Sequence, residues 1–131
     1  MSPSYRVLVV DDSAHMRILL TKSLKLLGFE QIESAENGRV GVEKFMSFKP
    51  HIVFLDGIMP EMDGLTALQE MKRQNAEAIV VITSSLSERD KVAMFKESGA
   101  ELYLLKPFDL AKFGEVAQRA VGILEQRQGK A

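Results

Sequence analysis

Three aspartates, a threonine and a lysine carry the chemistry open to this sequence, and each follows a short apolar run. Val7 to Val10 leads into Asp11-Asp12, Ile52 to Leu55 into Asp56, Ile79 to Ile82 into Thr83-Ser84-Ser85, and Leu102 to Leu105 into Lys106-Pro107. Singly, each has a bland explanation: Asp11-Asp12-Ser13 can cap a helix, Asp56-Gly57 can turn the chain, Thr83 can end a strand and Lys106 can be a solvated charge. Together they ask for more, because parallel strands would bring all of them to one edge, where three carboxylates repel unless a cation is bound. Hard oxygen ligands suit magnesium. A carboxylate is also a nucleophile toward phosphorus. The metal, the Lys106 ammonium, the Thr83 hydroxyl and free backbone N–H groups would then neutralise and position a phosphoryl group.

The elements that must place these residues are legible as an alternation. The four apolar runs have the length and β-branched content of strands buried on both faces, and Ile32 to Ala35 is a fifth, weaker candidate. Between them lie helical spacings such as Ile18, Leu19, Leu20, Leu24, Leu26 and Leu27, with Arg17, Thr21, Lys22 and Lys25 on the polar side and Gly28 as the stop. Asn37-Gly38 and Asp63-Gly64 mark turns into helices, Ser87 is a candidate N-cap for a fourth helix ending at Ser98-Gly99, and Asp109 caps a last helix through Leu124. Five strand-helix units predict a doubly wound α/β parallel sheet with helices on both faces, whose ligands sit at the carboxyl ends of the strands. An eight-stranded barrel would need about 250 residues.

The 131 residues fit one domain, 1–131, with an ordered core over 5–124 and a polar tail over 125–131 expected to fray. Lys and Arg number 17 against 18 Asp and Glu, a net charge of −1 that gives no general attraction to nucleic acid or to an anionic membrane. Cysteine is absent, which removes disulfides and thiolate metal sites and fits the cytoplasm. The apolar run after the N-terminus is too short for a signal-peptide core or a spanning helix. His15 and His51 belong to no triad or metal-ligand spacing and read as structural or solvated. Gly114 and Gly122 inside the last helix each cost roughly 1 kcal/mol relative to Ala, which hints at close packing or contact there.

Four segments in order, Val7-Leu8-Val9-Val10-Asp11-Asp12-Ser13, Asp56-Gly57-Ile58-Met59-Pro60-Glu61-Met62-Asp63-Gly64, Ile82-Thr83-Ser84 and Gly99-Ala100 through Tyr103-Leu104-Leu105-Lys106-Pro107-Phe108, resemble the receiver domains of two-component response regulators, most closely the standalone chemotaxis type. The resemblance implies a flavodoxin-like sheet of order 2-1-3-4-5. It implies Asp56 as phosphoacceptor, with Mg2+ held by Asp11, Asp12, Asp56 and the backbone carbonyl of Ile58. Lys106 would pair with the phosphoryl oxygens, Thr83 and Tyr103 would switch, and the Lys106–Pro107 bond would be cis. The expected residue type stands at each of these positions, which argues against a degenerate receiver. Ile58 departs from the better-known chemotaxis members, where a polar side chain often stands two residues after the acceptor. An apolar side chain there should not orient a hydrolytic water, so a long-lived phosphoryl group is expected.

The implied function is a phosphorylation-activated signalling switch. It would take its phosphoryl group from a sensor histidine kinase or phosphotransfer protein and change an output face formed by the fourth helix, fifth strand and fifth helix. It would be no enzyme beyond its own phosphorylation and dephosphorylation, with no direct contact to nucleic acid and no membrane insertion. A magnesium phosphohydrolase with an aspartyl phosphate fits poorly, since such families resemble Asp-x-Asp with the nucleophile on the first strand. A flavin carrier fits poorly too, because Asp11-Asp12 would repel the flavin phosphate. A receiver excised from a longer regulator remains the alternative, although the start at Met1 and the polar ending favour a complete protein.

Overall fold

The computed structural model describes residues 4–59, 62–85 and 91–129. The elements alternate as the apolar pattern predicts: β1 (Arg6–Val10), α1 (Ala14–Leu26), β2 (Gln31–Ala35), α2 (Gly38–Phe48), β3 (Ile52–Asp56), α3 (Gly64–Gln74), β4 (Ile79–Ser85), α4 (Val92–Glu97), β5 (Leu102–Lys106) and α5 (Leu110–Gly129). The strands form one parallel sheet in the order β2-β1-β3-β4-β5. This is the flavodoxin-like α/β arrangement.

Why the central strands are apolar without a break follows from the period of two. Val7 and Val9 face a core shared with Leu20, Leu24, Phe113, Val116 and Ala120 of α1 and α5. Leu8 and Val10 face a second core with Phe45, Leu68, Met71 and Phe95 of α2, α3 and α4. Each fully buried Val, Leu or Ile contributes roughly 1.5–3 kcal/mol of transfer free energy, and a polar residue on either face of these strands would forfeit it. At the sheet edge β2 alternates exposed and half-buried residues, which is why Gln31, Glu33 and Ser34 weaken its signal in the sequence.

The side-chain caps predicted from sequence are present. Ser13, Asn37 and Asp63 accept from Met16, Val40 and Thr66 N–H, and Asp109 Oδ1 accepts from Lys112 N–H at 2.8 Å. Gly28 and Gly99 take positive φ, 101° and 107°, just past the ends of α1 and α4. Ser87 lies outside the described residues.

Two expectations need correction. The last helix does not stop at Leu124 but runs to Gly129, because tertiary contacts hold its final turns: Arg127 bonds Glu101 Oε2 at 3.0 Å and Glu77 O at 2.9 Å, and Tyr5 Oη donates to Gln128 Oε1. The segment from 125 to 129 is therefore helical. Nor do Gly114 and Gly122 mark close packing, since an added Cβ would meet Leu27 Cδ2 at 3.5 Å in the first case and nothing within 4 Å in the second.

Among the described residues no helix is long and apolar enough to cross a membrane.

Candidate functional site

The carboxyl ends of β1, β3, β4 and β5 bring Asp11, Asp12, Asp56, Thr83 and Lys106 to one edge of the sheet. Asp11 immediately follows β1 and its N–H continues the ladder to Ala35 O at 3.1 Å. Its carboxylate is 1 % exposed; Oδ1 accepts from Ser13 N–H at 2.9 Å and Oδ2 from Lys106 Nζ at 3.1 Å. Asp56 ends β3, also buried, with Oδ1 accepting from Ile58 N–H at 3.2 Å and Oδ2 lying 3.5 Å from Lys106 Nζ. Asp12 is exposed at the rim. One oxygen from each of the three aspartates falls within 4.8 Å of the others.

Among the described residues one ammonium faces this cluster and does not balance it. Burial, and then the neighbouring Asp11 carboxylate, push the Asp56 pKa up to about 7, with Asp12 adding to the rise and Lys106 and the Ile58 N–H opposing it. For Lys106 burial works against the charge, but Asp56 and Asp11 outweigh it and raise its pKa, so it stays an ammonium. An all-oxygen donor set with excess negative charge fits a hard divalent cation such as Mg2+, held by the carboxylates of Asp11, Asp12 and Asp56. Bound there, the cation would supply charge neutralisation for an incoming anion.

The remaining predicted residues are placed as follows. Thr83 pairs in register with Asp56 across β3 and β4, is 1 % exposed, and accepts from Gly57 N–H through its carbonyl. Ile58 is 48 % exposed, an apolar side chain at the mouth of the cluster. The Lys106–Pro107 bond is cis, as the resemblance implied. Tyr103 does not touch the cluster; it lies on β5 with its ring 6.3 Å from that of Phe95. Its hydroxyl is buried and has no hydrogen-bond partner among the described residues. His15 is exposed, while His51 Nδ1 accepts from Arg6 N–H at 2.9 Å at the opposite edge of the sheet, a structural role.

Two features were not read from the sequence. Arg17 of α1 reaches back to donate from Nη1 to the backbone carbonyl of Asp11 at 2.7 Å. At the amino edge, Lys72 Nζ donates to Ala76 O, Ala78 O and Glu101 Oε2, and Arg127 shares that same carboxylate oxygen. Apolar periodicity carries no signal for either, since Arg17 and Lys72 look like ordinary solvated positions of amphipathic helices.

Comparison with known proteins agrees with this geometry. The family model described as "Response regulator receiver domain" matches residues 7–118. The chemotaxis protein CheY of Bacillus subtilis is 36% identical over 118 residues, covering 90% of this chain and 98% of that protein. A protein-glutamate methylesterase/protein-glutamine glutaminase of Archaeoglobus fulgidus is 41% identical over 119 residues, but the match spans only 34% of its length. Among solved structures, the CheX-CheY-BeF3-Mg2+ complex of Borrelia burgdorferi contains a chain that superposes with a TM-score of 0.81 at 33% identity, over 91% of this chain and 88% of that one.

Proposed function

The chain belongs to the response regulator receiver domain family, and we propose that it is a phosphorylation-driven switch whose acceptor is Asp56. The observation that carries this reading is the juxtaposition of a buried carboxylate, short of countercharge, with Lys106 Nζ at 3.5 Å and two further aspartates. A carboxylate oxygen of Asp56 forms the new P–O bond as the P–N bond of a phosphohistidine donor breaks, and the departing imidazole keeps the electron pair and takes a proton from solvent. Lys106 exchanges part of its contact with Asp11 and Asp56 for the phosphoryl oxygens. Asp11, Asp12, Asp56 and the Ile58 carbonyl would hold Mg2+, which would supply charge neutralisation for the anion. That the similar Borrelia burgdorferi chain forms a complex with BeF3 and Mg2+ supports the same chemistry here.

Acetyl phosphate with Mg2+ should add one phosphate, read by intact mass, and neither Asp56→Asn nor the parent in excess EDTA should acquire it. An equal adduct in either would remove Asp56 or the metal from this role.

Output follows from Thr83 and Tyr103. New acceptor oxygens on Asp56 draw the neighbouring Thr83 hydroxyl toward them, and Tyr103 moves into the space released. The Tyr103 hydroxyl is buried with no hydrogen-bond partner among the described residues, which supports this, since a bond gained on relocating would favour the move. The face of α4, β5 and α5 then changes for its partner. Thr83→Ala should accept phosphate at Asp56 yet fail to tighten partner binding; binding like that of the phosphorylated parent would contradict the route.

A further inference from the structure

We infer that Arg17 is a positioning residue for the cation site, fixing Asp11 from the side opposite its carboxylate. The inference rests on the proposed metal-binding role of Asp11 and concerns what keeps that aspartate in place.

The β1–β2 pairing ends at Val10 with Ala35, so the Asp11 carbonyl lies just past the end of the paired strands, in a residue that is 1 % exposed. Left bare, a buried carbonyl is destabilising, and Arg17 supplies the donor at 2.7 Å from the end of the first turn of α1. The same Arg17 bonds through its own N–H to Ser13 O at 3.0 Å, and Ser13 N–H bonds to Asp11 Oδ1. The loop from Asp11 to Ser13 is thus tied to the first turns of α1 at both its ends.

The two cations on Asp11 differ in permanence. Lys106 holds the carboxylate and is the group that must turn to an incoming phosphoryl oxygen. Arg17 holds the main chain, away from the reacting atoms, and its bond does not compete with the anion or the metal. Asp11 therefore keeps its place when Lys106 leaves it. Partners of metal ligands that act at one remove typically change metal affinity by 10–100-fold when lost.

The test is Mg2+ affinity by titration calorimetry at pH 8 for the parent, Arg17→Met and Arg17→Lys, with Lys72→Met as a destabilised variant at the opposite end of the sheet. Arg17→Met should bind Mg2+ roughly tenfold more weakly, Arg17→Lys should recover much of the loss, and Lys72→Met should bind like the parent. The acetyl phosphate rate of Arg17→Met should approach that of the parent as Mg2+ is raised. Parent-like affinity in Arg17→Met overturns the inference, as does an equal loss in Lys72→Met, which would show general loosening. Should Arg17→Met not fold, Arg17→Gln and Arg17→Lys carry the same comparison. A parent that binds no Mg2+ overturns the proposed site itself, and this inference with it.

Discussion

At the amino edge of the sheet the Lys72 ammonium directs its three donors at three acceptors, Ala76 O at 3.2 Å, Ala78 O at 2.6 Å and Glu101 Oε2 at 2.5 Å. Glu101 in turn accepts from Val80 N–H and Arg127. At the carboxyl edge a single ammonium, Lys106, is shared between two buried carboxylates while a third stands at the rim. Among the described residues one edge satisfies its charges, and the other leaves negative charge that a bound cation would neutralise. The same fold therefore separates an end whose buried charges are paired from the end that carries the proposed phosphoacceptor site. What distinguishes them is satisfaction of the charges, since both bury them.

The comparison is broken most severely at Lys72. Burial lowers its pKa, with the Glu101 hydrogen bond and charge opposing that shift. Lys72→Met removes one of the two cations on Glu101 and the donor to two backbone carbonyls, and should cost about 2 kcal/mol in urea unfolding, with Mg2+ affinity unchanged. A variant as stable as the parent would show that the amino edge is no structural lock.

A smaller effect sharpens the contrast. Burial, helped by the Arg6 charge, lowers the His51 pKa below 6.5, so the unfolded chain takes the proton first and the stability from this residue, present above pH 6.5, is lost as pH falls. His51→Asn can retain an acceptor for the Arg6 N–H and removes the titration. Its unfolding free energy should be less sensitive to pH than the parent's between pH 5 and 7; unchanged sensitivity would clear His51 of any part in it.

Much of this was legible because burial on both sides leaves an unbroken apolar run. Val7 to Val10, Ile52 to Leu55 and Ile79 to Ile82 announced the central strands, and the residue following each, Asp11, Asp56 and Thr83, lies at the carboxyl edge of the sheet. Edge strand β2 was fainter because one margin of it meets water. The end of α5 was misplaced because its last turns are held by Glu101, Glu77 and Tyr5, residues distant in sequence. Arg17 was missed for a related reason: its acceptor is a backbone carbonyl, which any residue at position 11 would offer.

The central claim is that charge at the carboxyl edge is held at a cost until a cation arrives, and urea unfolding at pH 5 and pH 8, with and without Mg2+, tests it most directly. The folded Asp56 pKa is raised from 3.8 to about 7, so the folded chain keeps a proton that the unfolded chain has lost, and stability falls as pH rises through that window. At pH 8 without Mg2+ the full penalty applies, at most about 4 kcal/mol from the size of the shift. Asp56→Asn should therefore be the more stable protein there, with its advantage shrinking at pH 5. Saturating Mg2+ should stabilise the parent at pH 8, by about 2.7 kcal/mol at a hundredfold excess over Kd, and Asp56→Asn less. A parent whose stability at pH 8 ignores Mg2+, or an Asp56→Asn variant less stable than the metal-free parent, would contradict the claim.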